Sequence, residues 1–326
     1  MISETKIQLS EHQVRQLIER ALPDSKPIDI RELADGWCIR AYWVNLAAHV
    51  PIVLKIGPHS NTKMLRYEKN MMSNEVEILR RFSHDKRIPV PEVFHFNQDR
   101  SLVDAEYFVM EALQGDGLHR VEYHMNKLSK LAINRQMAKI LKAINSYTSE
   151  SFGYFCSQHM AWYAALKEMF EWLYLDADDF SVSLPIDIQS FFAQFKAAEA
   201  AFTEIDTGRL VHWDLQPGNV IVNKHNGLWR IDGVFDFERV LWGDPLMEYN
   251  FGPVGKRRFF TLFYANYLWQ SRNEMIRREF YNIYLMFVLL IENRCRQYQQ
   301  PDLVKNVTAY LDVEWKKLND LLNSRP

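Results

Sequence analysis

Apolar positions recur every three to four residues from Glu11 to Ala21, with Val14, Leu17, Ile18 and Ala21 on one face. That spacing predicts an amphipathic helix, and Ser10 with Gln13 forms a capping box at its start. The period then shortens to two. Ile28–Leu33, Cys38–Leu46 and Ile52–Ile56 read as strands, the first two parted by a tight Asp35-Gly36 turn. Helical spacing returns from Met64 to Phe82, and Pro89 and Pro91 then forbid helix and lead into an extended Val93–Phe96. A further strand, Glu106–Glu111, ends in the polar break Gln114-Gly115-Asp116-Gly117.

Beyond that break the texture changes. Helical periodicity covers Val121–Tyr147, Met160–Leu175 and Pro185–Phe202. A second β island, Asn219–Val222 and Leu228–Phe235, is joined through Asn226-Gly227, the strongest hairpin signal in the chain. Helices resume from Lys256 to Leu322. The pattern therefore predicts an α+β chain of two lobes: a small β-rich lobe over residues 1–113 and a larger helical lobe over 114–326 with an embedded hairpin. A cleft between such lobes is a natural ligand site.

Composition narrows the class. The 326 residues carry a formal net charge of -2, which gives no electrostatic reason to expect nucleic acid or an anionic membrane as partner. The longest apolar run, Ile283 to Ile291 with Tyr284 inside it, is too short to span a bilayer. Cys38, Cys156 and Cys295 stand far apart, as expected of reduced thiols and not of a zinc site or a disulfide framework. The first residues, MISETKIQLS, lack a basic stretch followed by an apolar core, so a cytoplasmic location is expected.

The chemistry concentrates between Val211 and Asn250. His212, Asp214 and Asn219 form H-x-D-x-x-x-x-N, and Asp236 stands at the far end of the following hairpin. Phosphoryl transfer asks little covalent help of a protein: a carboxylate to orient the attacking hydroxyl, and oxygen ligands for magnesium against the phosphates. A loop Asp, an Asn at a strand start and an Asp returned beside it by the hairpin can supply both. Hard oxygen donors suit magnesium, which takes few protein carboxylates and keeps positions for phosphate and water.

These residues resemble the catalytic region of the aminoglycoside phosphotransferase and choline kinase-like family, a branch of the protein-kinase-like fold. To the family text, approximately H-G-D-x-x-x-x-N followed by I-D-[WF]-E and G-D-P, this chain supplies His212-Trp213-Asp214, Asn219, Phe235-Asp236-Phe237-Glu238 and Gly243-Asp244-Pro245. The resemblance implies that Asp214 is the catalytic base, that Asn219 and Asp236 bind Mg2+, and that ATP or GTP is the co-substrate. It gives His212 and Asp244 supporting roles. Trp213 departs from the family, which has a small residue there; the indole would either narrow the acceptor pocket or pack on the loop.

The first lobe supplies the rest of the expected nucleotide site. Lys55 ends an apolar strand that is third in order, and Glu75 in the following helix is its expected partner, with Glu77 as the rival. Gly36 marks the place of a phosphate-covering loop, although the chain has neither G-x-G-x-x-G nor a Walker A motif. Backbone groups around Glu111 and Leu113 are the expected adenine contacts, with Met110 behind them or simply in the core. For the acceptor, Glu248 is the candidate alongside Trp213. Asp176, Asp178 and Asp179 read more simply as a solvated acidic turn.

The expected partners are a nucleotide and a small-molecule alcohol, with the chain a monomer or homodimer. Aminoglycoside-type phosphorylation leads. A metabolic kinase acting on choline, homoserine, a sugar or a ketosamine, and a kinase-like binding protein without turnover, are the alternatives. The D-F-G and A-P-E signatures of protein-serine kinases are missing.

Overall fold

The structure, a computed structural model, describes residues 6–33, 39–47, 49–250, 271–298 and 300–324. Helix α1 (Glu11–Ala21) begins with the Ser10–Gln13 capping box that the sequence predicts. Its apolar face lies on an antiparallel sheet of β1 (Pro27–Leu33), β2 (Arg40–Leu46), β3 (Ile52–Ile56), β4 (Val93–Asn97) and β5 (Tyr107–Glu111), in the order β1-β2-β3-β5-β4. Alternation along the strands divides the side chains. Ile52, Leu54, Ile56, Tyr107 and Val109 pack with Val14, Leu17 and Ile18 of α1, whereas Val53, Phe108 and Met110 face the larger core of the molecule. Lys55 shares the second face. It therefore points away from α1 and towards α2 (Met71–Phe82).

The predicted helix from Met64 starts seven residues late. Met64–Asn70 is instead a strap with one 3-10 turn at Arg66–Glu68, and Asn70 adopts φ 64°, which ends any continuous helix there. Tertiary contacts override the helical pattern. The Glu68 carboxylate accepts the Leu65 amide at 2.9 Å, and the Arg66 amide donates to Asp176 at 3.1 Å. Lys63 and Arg66 pair with Asp179, and Asp176 is buried against Arg66, so these acids end the helix Trp162–Asp179 and brace the strap and do not form a solvated turn.

After β5 the chain forms β6 (Asp116–Gly117), α3 (Leu118–Val121), α4 (Lys127–Ile144), β7 (Thr148–Ser149), β8 (Gly153–Tyr154), α5 (Trp162–Asp179), α6 (Ile188–Ala197) and α7 (Glu199–Phe202). Strands β9 (Gly208–Val211), β10 (Val220–His225), β11 (Leu228–Val234) and β12 (Leu241–Gly243) follow. Asn226 and Gly227 both have positive φ, 52° and 81°, as the predicted two-residue turn between β10 and β11 requires. Two small sheets, β11-β10-β6 and β7-β9-β12-β8, thus embed the hairpin in a helical lobe.

Helices α8 (Arg272–Cys295) and α9 (Pro301–Asn323) close the chain. The sequence places a helical start at Lys256, which lies outside the described residues, as do Cys38 and the Asp35-Gly36 turn. Among the described residues, no helix is long and apolar enough to cross a membrane.

Between α8 and α9, Glu279 and Glu314 meet, and Asn282 donates to both at 3.3 and 2.8 Å. Burial, reinforced by the Glu314 carboxylate, pushes the Glu279 carboxyl up to about 8. A folded-state pKa above the unfolded value means that stability is present at low pH and is lost as pH rises towards 8. Glu279→Gln, which keeps a hydrogen-bond donor, should leave stability near pH 5 almost unchanged and raise it at pH 9 by at least about 1 kcal/mol, read by urea denaturation at both values.

Candidate active site

Three ionisable groups from three elements meet at one point. Lys55 Nζ of β3 lies 2.6 Å from Glu75 Oε2 of α2 and 2.8 Å from Asp236 Oδ1, just beyond β11. Glu75 is fully buried, and its second oxygen accepts the Asp236 amide at 3.1 Å. Glu77, the rival partner, faces solvent and pairs with Arg81. Burial alone would favour neutral Lys55, but Asp236, Glu75 and Glu238 together hold it more firmly protonated than a free lysine. For Asp236 burial also opposes charge, and Lys55 outweighs it, keeping the carboxyl below its usual range. Burial raises the Glu75 carboxyl, with Lys55 pulling the other way. A charged lysine held against a charged aspartate is the stable arrangement.

The loop from His212 to Asn219 leaves β9 and enters β10 beside this triad. Its backbone is pinned at two places. The Asn219 side-chain amide donates to the Asp214 carbonyl at 2.8 Å, and the Phe235 amide donates to the Asn219 carbonyl at 3.2 Å. His212 links the loop to the strand after the hairpin. Nδ1 accepts the Asp214 amide at 3.2 Å, so the proton sits on Nε2, which faces the Phe235 carbonyl at 3.2 Å. Burial lowers the His212 pKa to about 4, which keeps the ring neutral as that pattern needs.

Trp213 and Glu248, both expected at the acceptor, lie elsewhere. Trp213 is fully buried, with its ring 5.4 Å from Tyr284 and 6.2 Å from Tyr67. Its backbone takes φ 61°, a left-handed conformation that suits the small residue of the family pattern and strains a tryptophan by about 1 kcal/mol or more. Burial of the indole offsets that strain. Glu248, also fully buried, explains how the strain is held: its two oxygens accept the His212 amide at 2.6 Å and the Trp213 amide at 3.1 Å. Burial pushes its carboxyl up to about 7, with those amides opposing the rise. Both residues shape the loop from inside. Asp244 braces the same lobe by accepting from Arg277 at 2.9 Å and Tyr281 at 2.7 Å.

Of the remaining expected residues, Met110 is buried in β5, and the Glu111 amide donates to the Glu92 carbonyl at 2.8 Å within the sheet. The Leu113 side chain rests on Gly233, where an added Cβ would collide with Leu113 Cδ1. Gly36 lies outside the described residues.

The donor set fits a magnesium ion. Asn219 spends its NH2 group on the Asp214 carbonyl, which turns its Oδ1 away from that bond and leaves a hard oxygen donor. The Asp236 side chain is 26% exposed, with Oδ1 on Lys55 and Oδ2 available.

The motif text does not single out Arg239, which follows it directly. The residue is buried, with Nη2 2.8 Å from Glu292 and Nε 3.9 Å from Asp214 Oδ2. An arginine in an apolar stretch, Arg239-Val240-Leu241-Trp242, was the available signal. A cavity of about 550 Å³ opens beside the strap, lined by Met64, Lys69, Met72, Cys156 and Trp172 among others. Lys55, Asp214, Asn219 and Asp236 do not line it.

With this arrangement in view, the comparisons are direct. The phosphotransferase enzyme family profile matches residues 29–267. The chain belongs to that family. No curated protein matches the sequence. Among solved structures, aminoglycoside phosphotransferase APH(4)-Ia is similar at 15% identity and a TM-score of 0.63, with 97% of this chain and 100% of that one covered. The GDP complex of wild-type aminoglycoside 2'-phosphotransferase-IIIa is similar at 16% identity and a TM-score of 0.65, covering 95% and 99%. A thermostable APH(4)-Ia mutant in ternary complex with AMP-PNP and hygromycin B gives 16% and 0.60, covering 95% and 98%. These likenesses establish the protein-kinase-like α+β fold. As a member of this family, the chain is a phosphotransferase.

Proposed function

We propose that this phosphotransferase moves the γ-phosphoryl group of ATP or GTP to a hydroxyl of a small molecule, an aminoglycoside-like compound being the leading acceptor. The observation that carries the reading is the Lys55, Glu75 and Asp236 triad standing beside the His212–Asn219 loop. Nucleotide complexes and the hygromycin B complex among the structural relatives support the same pairing of donor and acceptor.

In this reading Lys55 holds the α- and β-phosphates, and Glu75 keeps it in place. Asn219 and Asp236 would hold magnesium, which supplies charge neutralisation for the phosphates. Asp214 orients the acceptor hydroxyl and takes its proton as the new oxygen–phosphorus bond forms. Neutral His212 and buried Glu248 keep the loop in shape. The Leu113 amide, two residues beyond the end of β5, is the backbone donor for the base. With Trp213 and Glu248 sealed inside, acceptor recognition falls to other side chains of the helical lobe. Transfer to the hydroxyl of an antibiotic would make the protein a resistance factor.

The purified protein with Mg-ATP or Mg-GTP should phosphorylate at least one member of a panel of aminoglycosides, other antibiotics and amino alcohols. Release of nucleoside diphosphate and the mass of the product provide the measurement. A thermal midpoint unmoved by Mg-ATP and Mg-GTP far above usual kinase concentrations, with no product, would remove this reading in favour of a binding protein without turnover. A product found only with choline, homoserine, a sugar or a ketosamine would instead select the metabolic alternative.

A further inference from the structure

We propose that Arg239 is a positioning residue for the Asp214 carboxylate, and that Tyr67 of the strap holds Arg239 in place. The nucleotide-binding half of the chain would thereby complete the acceptor side of the site. The inference rests on the phosphotransfer reading above and adds residues to it that the family motifs do not name.

The loop from His212 to Asn219 contains no lysine or arginine of its own. The cation it needs beside Asp214 comes from the segment after Asp236. Arg239 Nε stands 3.9 Å from Asp214 Oδ2, a coulombic contact and not a hydrogen bond. A guanidinium with 8% exposure keeps one orientation only if its surroundings impose it. Here they do so from three sides. The Tyr67 ring lies 5.9 Å from the guanidinium carbon, the Trp213 ring 5.7 Å, and the Glu292 carboxylate pairs with Nη2 at 2.8 Å.

Tyr67 serves twice. Its ring flanks Arg239, and its hydroxyl donates to the same Glu292 oxygen that pairs with Arg239. Glu68, next in the strap, pairs with Arg296, which stands 3.4 Å from Glu292. The buried chain Glu68, Arg296, Glu292, Arg239 and Asp214 thus runs from the strap to the base. Its two guanidinium groups face three carboxylates. Asp214, at the end of that chain, is the group that takes the acceptor's proton.

That moment is the transfer step. The acceptor oxygen bonds to the γ-phosphorus and its proton passes to Asp214. The bond from the γ-phosphorus to the bridging oxygen breaks, and its electron pair leaves with the nucleoside diphosphate. Arg239 exchanges no atom; it fixes which way the carboxylate faces. A misplaced carboxylate costs rate without changing how tightly the nucleotide is held.

Arg239→Gln, Arg239→Lys and Tyr67→Phe test the inference in the full chain. The readouts are kcat and nucleotide KM for Mg-ATP, with the best acceptor of the panel or with water, and nucleotide affinity and thermal midpoint alongside. Arg239→Gln should lower kcat roughly 10- to 100-fold with nucleotide KM within about twofold of wild type. Arg239→Lys should recover part of the loss. Tyr67→Phe, which keeps the ring and removes only the hydroxyl, should lower kcat several-fold in a protein that still folds, and it decides the matter if Arg239→Gln does not fold. A wild-type kcat in Arg239→Gln, or in Tyr67→Phe, overturns the inference while the phosphotransfer reading stands. So does a fall in nucleotide affinity that matches the fall in rate. Absence of wild-type turnover is a different result, and it removes the reading and the inference together.

Discussion

Asp214→Asn should lower phosphoryl transfer by roughly 10²- to 10⁴-fold in kcat, the range by which a positioned general base accelerates a reaction. The substitution keeps the side chain's shape and removes its charge and basicity. The loop should survive, because two of its hydrogen bonds are made by the Asp214 backbone. The carbonyl accepts from Asn219 and the amide donates to His212. Nucleotide affinity, which the proposed mechanism assigns to Lys55 and the Leu113 backbone, should stay within about twofold. Rapid-quench measurement of product formation, beside calorimetric nucleotide binding, separates the two quantities. Transfer at the wild-type rate would show that another group receives the hydroxyl proton.

The second large effect falls on stability. Glu68→Ala should destabilise the fold by about 3 kcal/mol, because it removes one partner of a buried ion pair and leaves the other in place. Glu68 and Arg296 are nearly inaccessible to water, and the same carboxylate also accepts the Leu65 amide at 2.9 Å. Loss of Glu68 therefore takes the ion-pair partner from a buried guanidinium and the acceptor from an amide at once, while Glu292, 3.4 Å from Arg296, and the Tyr298 hydroxyl, 3.2 Å away, remain as weaker partners. Urea denaturation at pH 7 measures the difference. A change under about 0.5 kcal/mol, the usual range for surface substitutions, would mean that water reaches Arg296 in solution. Because Glu68 belongs to the strap, the variant should also lose rate, which Tyr67→Phe tests with much less cost to the fold.

Legibility in the sequence followed the range of the interaction. The Ser10–Gln13 cap, α1, the Ile52–Ile56 strand and the Asn226-Gly227 turn each depend on residues a few positions apart, and each stands where the pattern puts it. The family resemblance favours Glu75 over Glu77; spacing says only that the two turn to different faces, and the fold turns Glu75 inward. Met64–Asn70 shows the limit. Its apolar spacing is helical, yet Asp176, Asp179, Glu292 and Arg296, all more than a hundred positions away, hold it as a strap. No local rule contains those partners.

Glu248 and Trp213 failed as acceptor candidates for the same reason. An acid close to a catalytic segment in sequence can face the ligand or the backbone, and the spacing is identical in both cases. The fold turns Glu248 inward to accept two amides, which makes a left-handed Trp213 tolerable where glycine would otherwise be the natural choice.

By itself, then, the sequence determined the kind of protein this is: two lobes, a hairpin between helices, and the H-x-D-x-x-x-x-N and Asp236 text whose residue types suit phosphoryl transfer. Those properties rest on period, turn chemistry and side-chain functional groups, all of which are written locally. Tertiary structure alone decided that Arg239 stands near Asp214 and what surrounds Arg239. The Arg239 guanidinium, the Tyr67 and Trp213 rings and the Glu292 carboxylate come from four separate stretches of chain. They meet because a buried charge is stable only where an opposite charge and hydrogen-bond partners are brought to it.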